Sequence, residues 1–123
     1  MSTLEIVRNS LLVLHFIGFA ALFGGFLSQS RVRERKIQAG MLHGALLTFV
    51  AGIGLVGVRY PLHDQDPNAW PLPDNAKVLV KTLLIIVILI LAFHNRKKLA
   101  VDSGTWLSIG LLTLANIVIA VFW

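Results

Sequence analysis

The residues with chemistry to offer in this chain are His15, His43, His63, His94 and Lys81. His15 is the sharpest of them. It is flanked by Leu14, Phe16 and Ile17 and lies seven residues past Arg8, about 10 Å along a helix. An imidazole in that setting either stays neutral and hydrogen-bonds a backbone carbonyl or Asn116, or it acts as a metal ligand. Lys81 follows Asn75 by six residues, about 9 Å of helical rise, which is close enough to a boundary for its ammonium to snorkel toward lipid headgroups. His43 lies seven residues after Lys36, His94 adjoins Asn95 and Arg96, and His63 sits beside Asp64 and Asp66, where solvation competes with a weak metal site.

Some chemistries are missing altogether. With no cysteine there is no disulfide, thiolate metal site, covalent c-type haem attachment or iron–sulfur cluster. Any cofactor must be held by His, Lys, Met or backbone groups. No glycine-rich phosphate loop, Ser-His-Asp order or His-Glu-x-x-His pattern occurs, and no residue is assigned catalysis. Whether the protein is an enzyme is left open.

The elements that must position these residues are apolar helices. Hydrophobic residues make up 56% of the 123 and charged residues 14%, against about 25% in a soluble domain. Residues 9–30, 37–58 and 103–123 contain no Asp, Glu, Lys or Arg, and 78–95 contain only Lys81. Each run is long enough to cross a hydrocarbon core of about 30 Å as a helix. The fold expected is an all-α, four-transmembrane-helix bundle, one integral membrane domain over residues 1–123, with helices at about 8–27, 37–58, 76–95 and 105–123, the first starting at Leu4 or Arg8. The first is read as an uncleaved helix, because a charged n-region is missing and the run exceeds a signal-peptide core of about 7 to 15 residues. No Asp or Glu falls inside a span, so a proton-coupled cation exporter built on an embedded carboxylate is disfavoured.

The formal charge of +5 does not mark a nucleic-acid binder. Seven of the eleven Lys and Arg form two clusters, Arg31, Arg33, Arg35 and Lys36, then Arg96, Lys97 and Lys98, each between apolar runs. Such clusters are retained in the cytoplasm, which places both termini and an outer loop from Tyr60 to Asn75 outside, in a bacterial plasma membrane. All four prolines fall in that loop. Asp74 or Asn75 can cap the third helix, and Asp102 or Ser103 the fourth. Tyr60, Trp70 and Trp123 suit the outer aromatic belt and Trp106 the inner one. Gly18, Ala21, Gly25 and Ser28 on the first helix, and Gly40, Gly44, Thr48 and Gly52 on the second, read as stripes for close helix packing, with room for a flat cofactor as the alternative. The glycine-free third helix is expected to face lipid over much of its surface.

The first span, His15-Phe-Ile17-Gly18, then Phe23-Gly-Gly25, then Arg31, resembles the first helix of the HemJ-type protoporphyrinogen oxidases and the related CopD-like membrane domains. Gly44, Thr48 and Ile53-Gly54-Leu55 in the second span, Lys81 early in the third and the Ile-Val-Ile-Ala-Val-Phe run of the fourth are similar in spacing. The resemblance implies a four-helix bundle that binds haem b, with His15 as iron ligand and Lys81 as a second cofactor-binding residue. It implies these two positions only. His94 follows Lys81 by 13 residues, about 140° around the helix, and Asp102-Ser-Gly-Thr-Trp106 stands in place of the family's Asn-Glu-x-Pro stretch, so porphyrinogen oxidation does not carry over. The function expected is haem b binding for redox or haem handling. The rival is a cofactor-free accessory or assembly subunit docked on a larger membrane complex. The partners implied are the lipid bilayer and either a second copy of this chain or a membrane complex, with no nucleic acid.

Overall fold

The computed structural model describes residues 1–123 as four helices with no strand: α1 (Thr3–Ser28), α2 (Ala39–Gln65), α3 (Asn75–Asn95) and α4 (Ser103–Phe122). All four are long and apolar enough to cross a membrane. Connections of ten, nine and seven residues make neighbours antiparallel. Each helix touches the two beside it and none touches its diagonal, so the four close into a ring in which α1 meets α4. The protein is a multi-pass membrane protein in contact with the lipid bilayer.

Local chemistry sets the helix boundaries. Of the two starts expected for α1, Leu4 and Arg8, the structure takes the earlier, at Thr3, because Ser2 and Glu5 form a capping box: the Ser2 hydroxyl accepts from the Glu5 N–H at 3.2 Å, and the Glu5 carboxylate accepts from the Ser2 N–H at 2.7 Å. The start of α2 shifts from Ile37 to Ala39, and its end from Val58 to Gln65. The last two turns of α2 include Pro61, so the outer connection is Asp66 to Asp74 rather than Tyr60 to Asn75. A proline there removes one N–H from the ladder, and Gly57, whose carbonyl loses that bond, sits in open surroundings. Asp74 caps α3 as expected, accepting from the Lys77 N–H at 3.2 Å. Asp102 occupies the N-cap of α4 but gives its carboxylate to the Thr105 hydroxyl, which holds it below the usual carboxylate range.

The closest packing is between α1 and α2. A Cβ added at Gly44 would lie 2.7 Å from the Gly18 carbonyl oxygen and 2.9 Å from both Ala21 Cβ and the Leu22 nitrogen. Only hydrogen fits there, which is how small residues let two helices approach without a hydrophobic drive between them. The stripe is shorter than its spacing suggests: Gly40 has nothing within 4 Å of an added Cβ, and Gly52 faces His15.

The remaining core gathers toward the end that carries the basic loops. Leu22, Met41, Ala45, Ile88, Ala92 and Ile109 are at most 1% exposed and pack together there. Trp106 belongs to this core. At 8% exposed it is no belt residue: its indole stacks on Phe26 at 4.3 Å, its Nε1–H donates to the Phe26 carbonyl at 3.2 Å, and the Arg35 guanidinium lies 4.0 Å above it. Arg35 also donates to the Gln29 and Ser30 carbonyls, fastening the α1–α2 connection to the start of α4. Only 21 of 123 residues are buried, so most of the apolar surface points outward, an arrangement suited to lipid and not to water. Leu79, Leu83, Val87 and Ile90 form the outward face of α3, whereas Leu89 packs against the core.

Candidate functional site

In the half of the bundle away from the basic loops the ring is not filled. A cavity of about 200 Å³ lies between the helices there, lined by His15 and Phe19 from α1, Thr48 and Gly52 from α2, Lys81 and Ile85 from α3, and Asn116 from α4. His15 and Lys81, the two positions that the resemblance singles out, thus line one cavity.

Their common level has a geometric origin. His15 follows the start of α1 by twelve residues and Lys81 follows the start of α3 by six. At about 1.5 Å per residue, α1 overhangs α3 by about 9 Å. The end of α2 keeps company with this overhang, since Ser2 donates to the Gln65 side chain at 3.4 Å. Below the cavity Ile85, which lines it, also belongs to the packed core, so the cavity is closed toward the basic loops. Ile53, another lining residue, is 57% exposed and marks an opening on the flank of α2.

Three of the polar side chains of the cavity, His15, Thr48 and Asn116, are held by backbone carbonyls. His15 Nδ1 lies 2.9 Å from the Thr48 carbonyl oxygen, and since a carbonyl only accepts, Nδ1 carries the proton. In the neutral ring this leaves Nε2 with a free lone pair. Histidines that ligate metals are held in this way, with the second ring nitrogen donating to a backbone carbonyl. Phe19, one turn along α1, sets its ring edge-on to the imidazole at 5.1 Å. Gly52 lets α2 come close to the ring: an added Cβ would stand 3.3 Å from His15 Cε1. Asn116, 2% exposed, donates from Nδ2 to the Lys81 carbonyl at 3.3 Å, while its Oδ1 is buried without a partner. The sequence offered Asn116 as a partner for His15; the structure gives it to α3 instead.

The other histidines stand apart. His43 and His94 are exposed on the outside of the bundle. His63 is in the last turn of α2, where its Nδ1 meets the Trp70 carbonyl at 2.9 Å beneath the Arg8 and Arg59 guanidinium groups that flank the Trp70 ring. No group of three metal-ligating side chains occurs anywhere, so His63, Asp64 and Asp66 do not form a metal cluster. Phe19, Phe49 and Thr82 of the cavity were not singled out from the sequence, although Phe19 lies at i+4 from His15 and so shares its face.

The arrangement offers one imidazole nitrogen to a metal, one ammonium to an anion, and apolar walls around both. No family model, curated protein or solved structure matches this chain.

Proposed function

We propose that this protein is a bacterial plasma-membrane protein that binds haem b at the cavity and serves redox or haem handling. The observation that carries the reading is the His15 Nδ1–H bond to the Thr48 carbonyl, which leaves Nε2 as a ligand atom on the wall of an apolar cavity that also holds Lys81. A single imidazole is a sufficient protein ligand for haem iron. Lys81 supplies the matching charge for a haem propionate, and Gly52 keeps the wall beside the imidazole free of a side chain.

At about 200 Å³ the cavity is smaller than the pockets of about 300 to 1,000 Å³ that enclose drug-sized ligands, and it is open beside Ile53. A haem at this cavity would be ligated by His15 and have a carboxylate balanced by Lys81, and it would supply one-electron chemistry.

The small size of the cavity favours one other reading, a cofactor-free accessory or assembly subunit. Absorbance of the purified protein, expressed with ample haem, separates the two. Haem binding predicts a Soret band that His15→Ala abolishes, and that Lys81→Met weakens without removing, with a shifted reduction potential. A wild-type protein with no Soret band decides for the accessory subunit.

A further inference from the structure

The two basic clusters, separated by some sixty residues of sequence, meet at one end of the bundle. An open cleft of about 550 Å³ lies between the start of α2 and the segment after α3, lined by Lys36 and Gln38 on one side and by Arg96, Lys97, Lys98 and Leu99 on the other. Four cations thus share one concavity. Asp102 lies within electrostatic reach of Lys98 and offsets part of its charge, which leaves Lys36, Arg96 and Lys97 as the cations of the cleft without that neighbour. Gln38 caps α2 without a side-chain hydrogen bond, and Gln38 and Ala39, at the positive end of that helix, both line the cleft.

The cleft stands where two membrane spans end, at the level of headgroups rather than in free solution. Leu99 on its rim is 93% exposed, an apolar side chain placed beside cations. A soluble anion has no use for that leucine, whereas a phospholipid brings both a phosphate for the cations and a glycerol-acyl region for Leu99. Basic pockets between spans bind acidic headgroups by this combination. We infer that the cleft formed by Lys36, Arg96, Lys97 and Lys98 is a binding site for the phosphate headgroup of an anionic phospholipid.

The test uses full-length protein in nanodiscs, where the orientation that the basic residues impose in a cell has no effect. Discs of phosphatidylcholine are compared with discs that also carry phosphatidylglycerol. Native mass spectrometry reads the lipid retained after release, and thermal unfolding reads its effect on the fold. Wild-type protein should retain phosphatidylglycerol in preference to phosphatidylcholine and unfold at a higher temperature with it. Each of Lys97→Gln and Lys98→Gln should lower the preference roughly fivefold, from about 1 kcal/mol per cation. The pair Arg31→Gln and Arg33→Gln, which removes twice the charge of either single change but outside the cleft, should leave the preference intact. Equal loss in that control would reduce the effect to general charge attraction and overturn the site. So would equal retention of the two lipids by wild-type protein, or the same thermal shift from inorganic phosphate added to phosphatidylcholine discs. A cleft variant that no longer unfolds cooperatively in phosphatidylcholine is replaced by Lys36→Gln, outside the α3–α4 connection, with the same expectation.

Discussion

His15 on α1 and Thr48 on α2 bind each other twice: the imidazole Nδ1 donates to the Thr48 carbonyl at 2.9 Å, and the Thr48 hydroxyl donates to the His15 carbonyl at 3.4 Å. The contact lies one turn from the place where Gly18 and Gly44 let the two backbones approach most closely. The ring that we assign to haem is therefore aimed by the tightest helix interface of the molecule, and disturbing that interface should disturb the site.

Gly44→Ala puts a methyl group against the Gly18 carbonyl and the Leu22 nitrogen, both backbone atoms that no rotamer change can move aside. We expect a loss of about 1–3 kcal/mol in detergent or bilayer unfolding, the cost of overpacking, together with lower haem retention. Gly40→Ala, with nothing within 4 Å, should stay within about 0.5 kcal/mol of wild type. The packing account fails if the two variants unfold alike. Ile90, 61% exposed on α3, is the right lipid-facing control, since Leu89 packs inward.

Gly52→Val acts on the site with less effect on the fold. Its added Cβ stands 3.3 Å from His15 Cε1, so the branched side chain takes the space beside the imidazole. Soret absorbance per protein should fall at least severalfold while the unfolding midpoint stays near wild type. Gly57→Val, in open surroundings five residues further along α2, should retain its haem. Full occupancy in the Gly52 variant would move the cofactor away from this wall.

Trp106→Ala should be among the most damaging single changes outside the α1–α2 contact. It removes a stacked ring, a hydrogen bond to the Phe26 carbonyl and the seat of the Arg35 guanidinium at once. Large-to-small changes of this kind cost about 3–5 kcal/mol. Trp106→Phe keeps the stack and gives up the hydrogen bond, so it should cost about 0.5–1.5 kcal/mol. Denaturation curves followed by circular dichroism would show the difference, and equal midpoints would exclude a core role for the indole.

Ser2 and Gln65 meet at one end of the bundle, and Ser103 lies by Arg35 at the other. With both basic clusters in the cytoplasm, single cysteines at Ser2 and Gln65 should react with an impermeant thiol reagent on intact cells, and one at Ser103 only after lysis. The absence of native cysteine keeps the background clean. Labelling at 103 with protection at 65 would invert the orientation.

The number of helices, their apolar character and the approximate place of each were determined by the sequence alone, because uninterrupted runs of about twenty residues admit one solution in lipid: only a helix satisfies its own backbone there. A cap at Asp74 or Asn75, small-residue packing faces on α1 and α2 and the lipid exposure of much of α3 were legible for similar local reasons, although the Gly18–Gly44 pairing and the inward turn of Leu89 were not. Other features were settled only by tertiary structure. Charge-free runs end at Arg8 and Val58, but α1 and α2 pass beyond them, since a capping box at Ser2 and mutual support between the two helices outweigh the charges and Pro61. Trp106 reads as an interfacial residue by position and is buried by Arg35 and Phe26, which come from other segments. That His15 and Lys81 share a cavity, that Asn116 turns to Lys81 rather than to His15, and that Lys36 stands across a cleft from Arg96 to Lys98 all depend on how far the helices overhang and rotate about one another. Hydropathy records depth along each helix. Rotation and overhang arise from side-chain contacts between helices, and those exist only once the ring has closed.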